Sequence, residues 1–186
     1  MNDRMIDQTT GRTAARYRPI VVAIHWLSAA LILWQVWLGF TFSDLPKGSP
    51  ERTELFTWHK SVGVAILALA LLRLAVRIGN PPPPFPGEMA PWERGAAVWT
   101  HRLFYFFLIA LPLTGLAAVS GGGATTTLIG GISFPTLPLP IGDVHEPLVF
   151  GMIGLLLLHV AGALKHQFID RGPAADRMWP FRSTRR

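Results

Sequence analysis

The sequence predicts an all-α membrane protein, a bundle of four transmembrane helices, and three observations carry that prediction. Half of the 186 residues are hydrophobic and only 15% are charged, against about 25% charged in soluble domains, and mean hydropathy is +0.35. Four apolar stretches, residues 20–42, 55–78, 97–119 and 144–168, each exceed the roughly 20 residues that carry a helix across about 30 Å of hydrocarbon. The cations are lopsided: of seventeen Lys and Arg, only Lys47, Arg52 and Lys60 lie on the side of the first and third connections. Lys and Arg concentrate on the cytoplasmic side of membrane proteins, which puts both termini in the cytoplasm.

Residues 1–19 are polar and carry Arg4, Arg12, Arg16 and Arg18, the pattern of a cytoplasmic N-terminal segment. The apolar run that follows is too long for the core of a cleaved signal peptide. The first span holds no charge. The second keeps its charges near its ends except Arg73, about a turn inside, whose stem can snorkel. The connection NPPPPFPGEMAPWERG is too proline-rich for a helix and reads as stiff polyproline-like chain. Trp92 and Trp99 beside it suit interfacial anchors. After the third span, SGGGATTTLIGGISFPTLPLPIGD has no cation, many Gly and Pro, and β-like pieces such as TTTLI; it is expected to lie over the bundle mouth as a lid. The four-helix transmembrane unit is thus residues 20–168, and residues 169–186 form a basic tail with Arg171, Arg177, Arg182, Arg185 and Arg186. Each such cation contributes about 1 kcal/mol near anionic head groups. The net charge of +6 is therefore a topology signal, with no nucleic-acid partner expected. The chain has no cysteine, which excludes disulfides, iron–sulfur clusters and thioether-attached haem.

All six histidines fall in or at the ends of the spans: His25, His59, His101, His145, His159 and His166. A lone imidazole in a soluble core is most often a satisfied core residue, but ionisable groups in a span face the bundle interior and mark function. His25 lies about one and a half turns from the cytoplasmic side, His59 near the outer face, and His145 at the outer end of the fourth span. His159 is fourteen residues past His145, about 21 Å deeper and on the same face. Two pairs result, His59 with His145 at the outer level and His25 with His159 at the inner. Paired imidazoles across a bundle core are what two six-coordinate b haems require. Zinc or copper would more often add carboxylates or thiolates, and only Glu146 stands beside a span histidine. Gly63, Ser28, Ala29, Gly162 and Ala163, a turn from the ligands, leave space for a flat macrocycle; close helix packing explains them equally. His166 and His101 near the cytoplasmic face have two readings, interfacial caps of helix ends or hydrogen-bonding and proton-delivering groups for a quinone. Arg73 and Arg77 likewise suit haem propionates or a simple topogenic role.

With IHWLSAALILWQVWLGF, TWHKSVGVAILALALLRLAVR, THRLFYFFLIALPLTG and VHEPLVFGMIGLLLLHVAGALKH in view, the chain resembles the bacterial cytochrome b561 family over roughly residues 16–181. The HW of span one, HxSxG of span two, ALPLTG of span three and H-x13-H of span four are jointly specific. The nearest likeness is to small stand-alone superoxide oxidases of that family. The resemblance implies a superoxide:ubiquinone oxidoreductase of the bacterial inner membrane, with two haem b and both termini cytoplasmic. It implies His25 with His159 and His59 with His145 as iron ligands, since related dihaem subunits of formate dehydrogenase and hydrogenase space their fourth-helix ligands fourteen apart. Ubiquinone would exchange electrons near His166, His101 and Arg102, and Arg73 and Arg77 would meet propionates. Superoxide would approach the outer level, where Lys60, Lys47 and Arg52 can steer an anion, though Asp44, Glu51 and Glu54 share that loop. The alternative is a non-catalytic cytochrome b subunit handing electrons from a periplasmic dehydrogenase, hydrogenase or soluble cytochrome to quinone. The short chain favours the first, and an outer loop without cations offers the second a docking surface.

Overall fold

The computed structural model describes residues 17–85, 89–170 and 176–178. It is mostly helical: α1 Pro19–Asp44, α2 Pro50–Gly79, α3 Pro91–Ala118 and α4 His145–Leu164. All four lie within segments long and apolar enough to cross a membrane. Arg4, Arg12 and Arg16 of the N-terminal segment lie outside the described residues, as do Arg171, Arg182, Arg185 and Arg186 of the tail.

Three helices begin with proline at their first position, where the missing N–H is no loss and φ is preset. α2 starts at Pro50, five residues before its apolar stretch, because Ser49 caps it by accepting from the Arg52 N–H at 3.2 Å. The same Arg52 closes the end of α1: its Nη1 donates to the carbonyls of Phe42, Ser43 and Leu45 at 3.0, 3.2 and 2.7 Å. Those carbonyls have no partner within the helix. α3 also starts early, which corrects the expectation for PWERG: these residues are its first turns, not linker. Pro91 opens that turn and the Glu93 carboxylate accepts from the Ala90 N–H at 3.1 Å. The preceding prolines 81–84 remain without helix.

The third connection carries the one sheet among the described residues. β1 Thr125–Thr127 pairs antiparallel with β2 Ser133–Pro135, Thr126 opposite Phe134. The turn between them needs left-handed backbone at Gly130 and Gly131, φ 76° and 74°. The hairpin folds back onto α2, where Ile129 N–H donates to Ser61 Oγ at 2.9 Å and Lys60 Nζ to Thr126 Oγ1 at 2.9 Å. Leu128 is buried beneath it. The connection thus lies as a lid over the N-terminal end of α2, the end that the charge pattern predicts to be outer, with its strand where TTTLI indicated.

α1 packs on α2, α2 on α3 and α3 on α4, while α4 has no comparable seam with α1. Along each helix the inward face repeats every seven residues, two turns or about 10 Å. α1 contributes His25, Ile32 and Gly39; α2, running the other way, Arg73, Ile66 and His59; α3 His101, Leu108 and Gly115; α4 His159, Met152 and His145. The middle members, Ile32, Ile66, Leu108 and Met152, are all buried and belong to one cluster with Leu38, Val62 and Ala70. They form an apolar plug between two levels of polar residues. Large side chains such as Leu71, Phe106 and Leu157 point outward, as a lipid-facing surface does.

Leu38 is 1% exposed, so Leu38→Ala should cost about 2–5 kcal/mol of stability. Thermal unfolding in detergent should register it, while Ile78→Ala, at a site 81% exposed, leaves the midpoint unchanged.

Candidate functional site

At the outer level the rings of His59 and His145 lie 6.3 Å apart, centroid to centroid, nearly perpendicular at 82°. At the inner level the rings of His25 and His159 are also 6.3 Å apart. With a metal–imidazole bond of about 2 Å and about 1 Å from ring nitrogen to centroid, two imidazoles on one metal have centroids roughly 6 Å apart. Both pairs have that spacing.

Each outer imidazole rests against a glycine of the neighbouring helix. A Cβ on Gly115 would lie 3.2 Å from His145 Cε1, and one on Gly39 would lie 3.4 Å from His59 Cε1. The glycine side lets His145 reach the α3 backbone: Nδ1–H donates to the Leu111 carbonyl at 3.0 Å, with Thr114 Oγ1 at 3.1 Å. That bond fixes the ring's orientation and leaves Nε2 with its lone pair, the arrangement usual for a metal-bound histidine. Gln35 holds the other ring, its Nε2 donating to the His59 carbonyl at 3.0 Å and lying 3.2 Å from His59 Nε2. His59 Nδ1 is buried with no partner, and so is Gln35 Oε1. A buried ring nitrogen without a partner is costly unless something else binds it. The donor set therefore fits a metal held between two neutral imidazoles.

The inner level is more crowded. His159 is 6.3 Å from His25 but 6.0 Å from His101, so ring distance alone does not choose its partner. The packing on the two sides differs. α3 and α4 are in direct contact, with Phe104 5.1 Å from the His159 ring and Phe107 against Gly151, whereas α1 and α4 have no such seam. Arg73 Nη2 stands 3.3 Å from His25 Nδ1, a cation beside the inner pair. Arg77 lies over the Tyr105 ring at 5.9 Å. Arg102 is exposed and lies over Trp99, at 5.2 Å, apart from His101.

The small residues singled out in the sequence divide. Gly63 makes room for Gln35, whose Nε2 would be 3.3 Å from its Cβ, while Gly162 faces open space. Ser28 is buried and bonded to its own helix at Ile24 O. Gly39, Gly115, Leu111, Thr114 and Gln35 were not singled out; the first two stand fourteen residues past His25 and His101, a spacing that could have found them.

On the outer side a cavity of about 740 Å³ lies between α2, the end of α3 and β1, lined by Thr53, Phe56, Thr57, Lys60 and Thr125–Thr127 among others. Lys60, next to His59, is the cation of its lining and lies over Phe56 at 5.0 Å. Arg52 is occupied by the end of α1. On the inner side His166 Nδ1 is 2.7 Å from Asp170 Oδ2, and Lys165 Nζ lies 2.7 Å from both Asp170 Oδ2 and Glu93 Oε1. The Lys165 ammonium, hydrogen-bonded to Asp170, holds that carboxyl below its usual range.

The sequence model of the family described as prokaryotic cytochrome b561 matches residues 16–181. The chain is 29% identical over 181 residues to cytochrome b561 homolog 2 of Escherichia coli K12, covering 89% of this chain and 92% of the relative. It is 26% identical over 179 residues to the probable superoxide oxidase CybB of Yersinia pestis, covering 89% and 96%. Cytochrome b561 homolog 1 of Escherichia coli K12 is 24% identical over 179 residues, covering 90% and 98%.

Gly115→Ala should leave the fold intact, since alanine is the better helix former, yet shift the His145 ring. The expected result is altered haem absorbance and weaker haem binding. Gly154→Ala, whose Cβ meets nothing within 4 Å, should change neither.

Proposed function

The chain belongs to the prokaryotic cytochrome b561 family, a family of b-haem membrane electron carriers, and from that premise we propose a dihaem superoxide:quinone oxidoreductase. The observation that carries the haem count is the two imidazole pairs at equal spacing, one per level. His59 and His145 would hold one haem b and His25 and His159 the other, within a domain of residues 20–168. Bound there, the groups supply one-electron storage and transfer between the two membrane faces. The charge distribution supports a bacterial inner-membrane protein with both termini cytoplasmic.

The overall reaction takes two superoxide anions, one ubiquinone and two protons to two dioxygen molecules and one quinol. Lys60 is the residue of the outer cavity that would attract the anion, one position from an outer ligand. Arg73, beside His25, would hold a propionate carboxylate, with Arg77 a turn further toward the cytoplasm. His166 and His101, on the inner side, would hydrogen-bond the quinone, with Arg102 at the same depth. That one relative bears the name probable superoxide oxidase supports this choice of donor. A second reading, an electron-transfer subunit fed by a periplasmic protein, draws on the exposed Ile132 and Leu139 of the outer connection, apolar surface suited to docking.

Purified protein exposed to a superoxide flux separates the two: reduction of the haem bands without any other polypeptide is expected, and reduction that requires a co-purifying partner would establish the subunit reading. His145→Ala should lower the haem-to-protein ratio from two to one and keep the inner haem's spectrum, measured by haem extraction and redox titration. Equal loss of both would refute the pairing.

A further inference from the structure

We propose that Asp170 is a positioning residue for His166, the two forming a carboxylate–imidazole dyad through which a bound quinone receives its protons from the cytoplasmic side. This rests on the quinone reductase reading and assigns the proton donor within it.

The geometry comes from an unusual end to α4. At Lys165–Ile169 the helix widens into a π turn, closed by the Asp170 N–H on the Lys165 carbonyl at 3.0 Å. Such turns concentrate at functional sites. It brings Asp170 over the face that carries Lys165 and His166, with Oδ2 2.7 Å from His166 Nδ1. Asp170 is itself clamped, accepting from Lys165 Nζ at 3.0 and 2.7 Å. Lys165 in turn donates to Glu93 Oε1 at 2.7 Å, and Glu93 Oε2 is fixed to the first turn of α3. Lys165 and Glu93 are the charged groups seen against the dyad, and one ammonium between two carboxylates leaves one negative charge in excess there. The cluster stands at the cytoplasmic mouth of the α3–α4 seam, whose next level inward is His101 beside His159. His166 is seven residues from His159, about 10 Å along the same stripe.

Reduction of a quinone consumes two electrons and two protons. With Asp170 accepting the Nδ1–H bond, the His166 ring is held in one orientation and one tautomer, with Nε2 left to face the quinone. The Nε2–H bond breaks as the proton goes to a quinone oxygen, leaving a neutral ring with Nδ1–H still on Asp170. Water from the cytoplasm reprotonates Nε2 before the second transfer. Asp170, a third exposed, is placed to meet that water.

The test uses the haem-loaded full chain and a short-tailed ubiquinone. Asp170→Asn should cut kcat for quinone reduction roughly tenfold or more with KM unchanged, while superoxide reduces its haems at the wild-type rate. Asp170→Glu should restore most of the loss. A wild type that is reoxidised by quinone while Asp170→Asn matches it in rate and pH profile overturns the dyad alone. If Asp170→Asn cannot be loaded with haem, a His166→Gln variant that is reoxidised at the wild-type rate does so. Haems that quinone never reoxidises overturn the dyad together with the quinone reductase reading.

Discussion

The structure turns on a geometric constraint: four helices must present large polar rings to one another inside a membrane without leaving a polar group or a void unsupported. A seven-residue register solves it. Two turns separate each inward residue from the next, so every helix delivers one residue to each of three levels. The outer level sets two imidazoles against two glycines. The inner level has three imidazoles and a guanidinium instead, and its width comes from the open α1–α4 side. Bulk is matched differently on the two levels, and the buried Ile32, Ile66, Leu108 and Met152 keep them apart.

Much of this was legible in the sequence. The four spans and the strand in the outer connection follow from apolar length and β-branched runs, and helical rise anticipates that His59 lies near His145 and His25 near His159. What escaped did so for local reasons. The starts of α2 and α3 are set by Ser49, Pro50, Pro91 and Glu93, polar capping residues that an apolar-length criterion passes over. Gly39 and Gly115 were hidden among eighteen glycines, because a helical glycine announces itself only through what faces it. The choice between His25 and His101 needs to know which helices touch, which one chain's periodicity does not contain. The Lys165–Asp170 clamp depends on a π turn, and no residue pattern signalled that extra residue.

Charge is deployed unevenly. Arg52, counted at first as part of a positive approach surface, is committed to three backbone carbonyls, and its contribution is structural. Lys60 is left as the cation of the outer cavity, held by Thr126 of the hairpin and by the face of Phe56. The lid and the cation are therefore mechanically linked: moving β1 frees the ammonium. Inside, Arg102 turns to an interfacial tryptophan rather than to His101, so cations adjacent in sequence to functional histidines need not share their task.

The middle level has an electrical consequence. Its four inward side chains carry no ionisable group, so it conducts neither protons nor ions by side-chain exchange, whereas electrons can tunnel through saturated matter of that thickness. In the proposed dihaem reaction, negative charge traversing the plug without a companion proton would make turnover electrogenic. Each full charge displaced across the dielectric exchanges about 2.3 kcal/mol with every 100 mV of potential. The transmembrane voltage would then be a reactant in the proposed turnover, entering where the plug separates the two polar storeys.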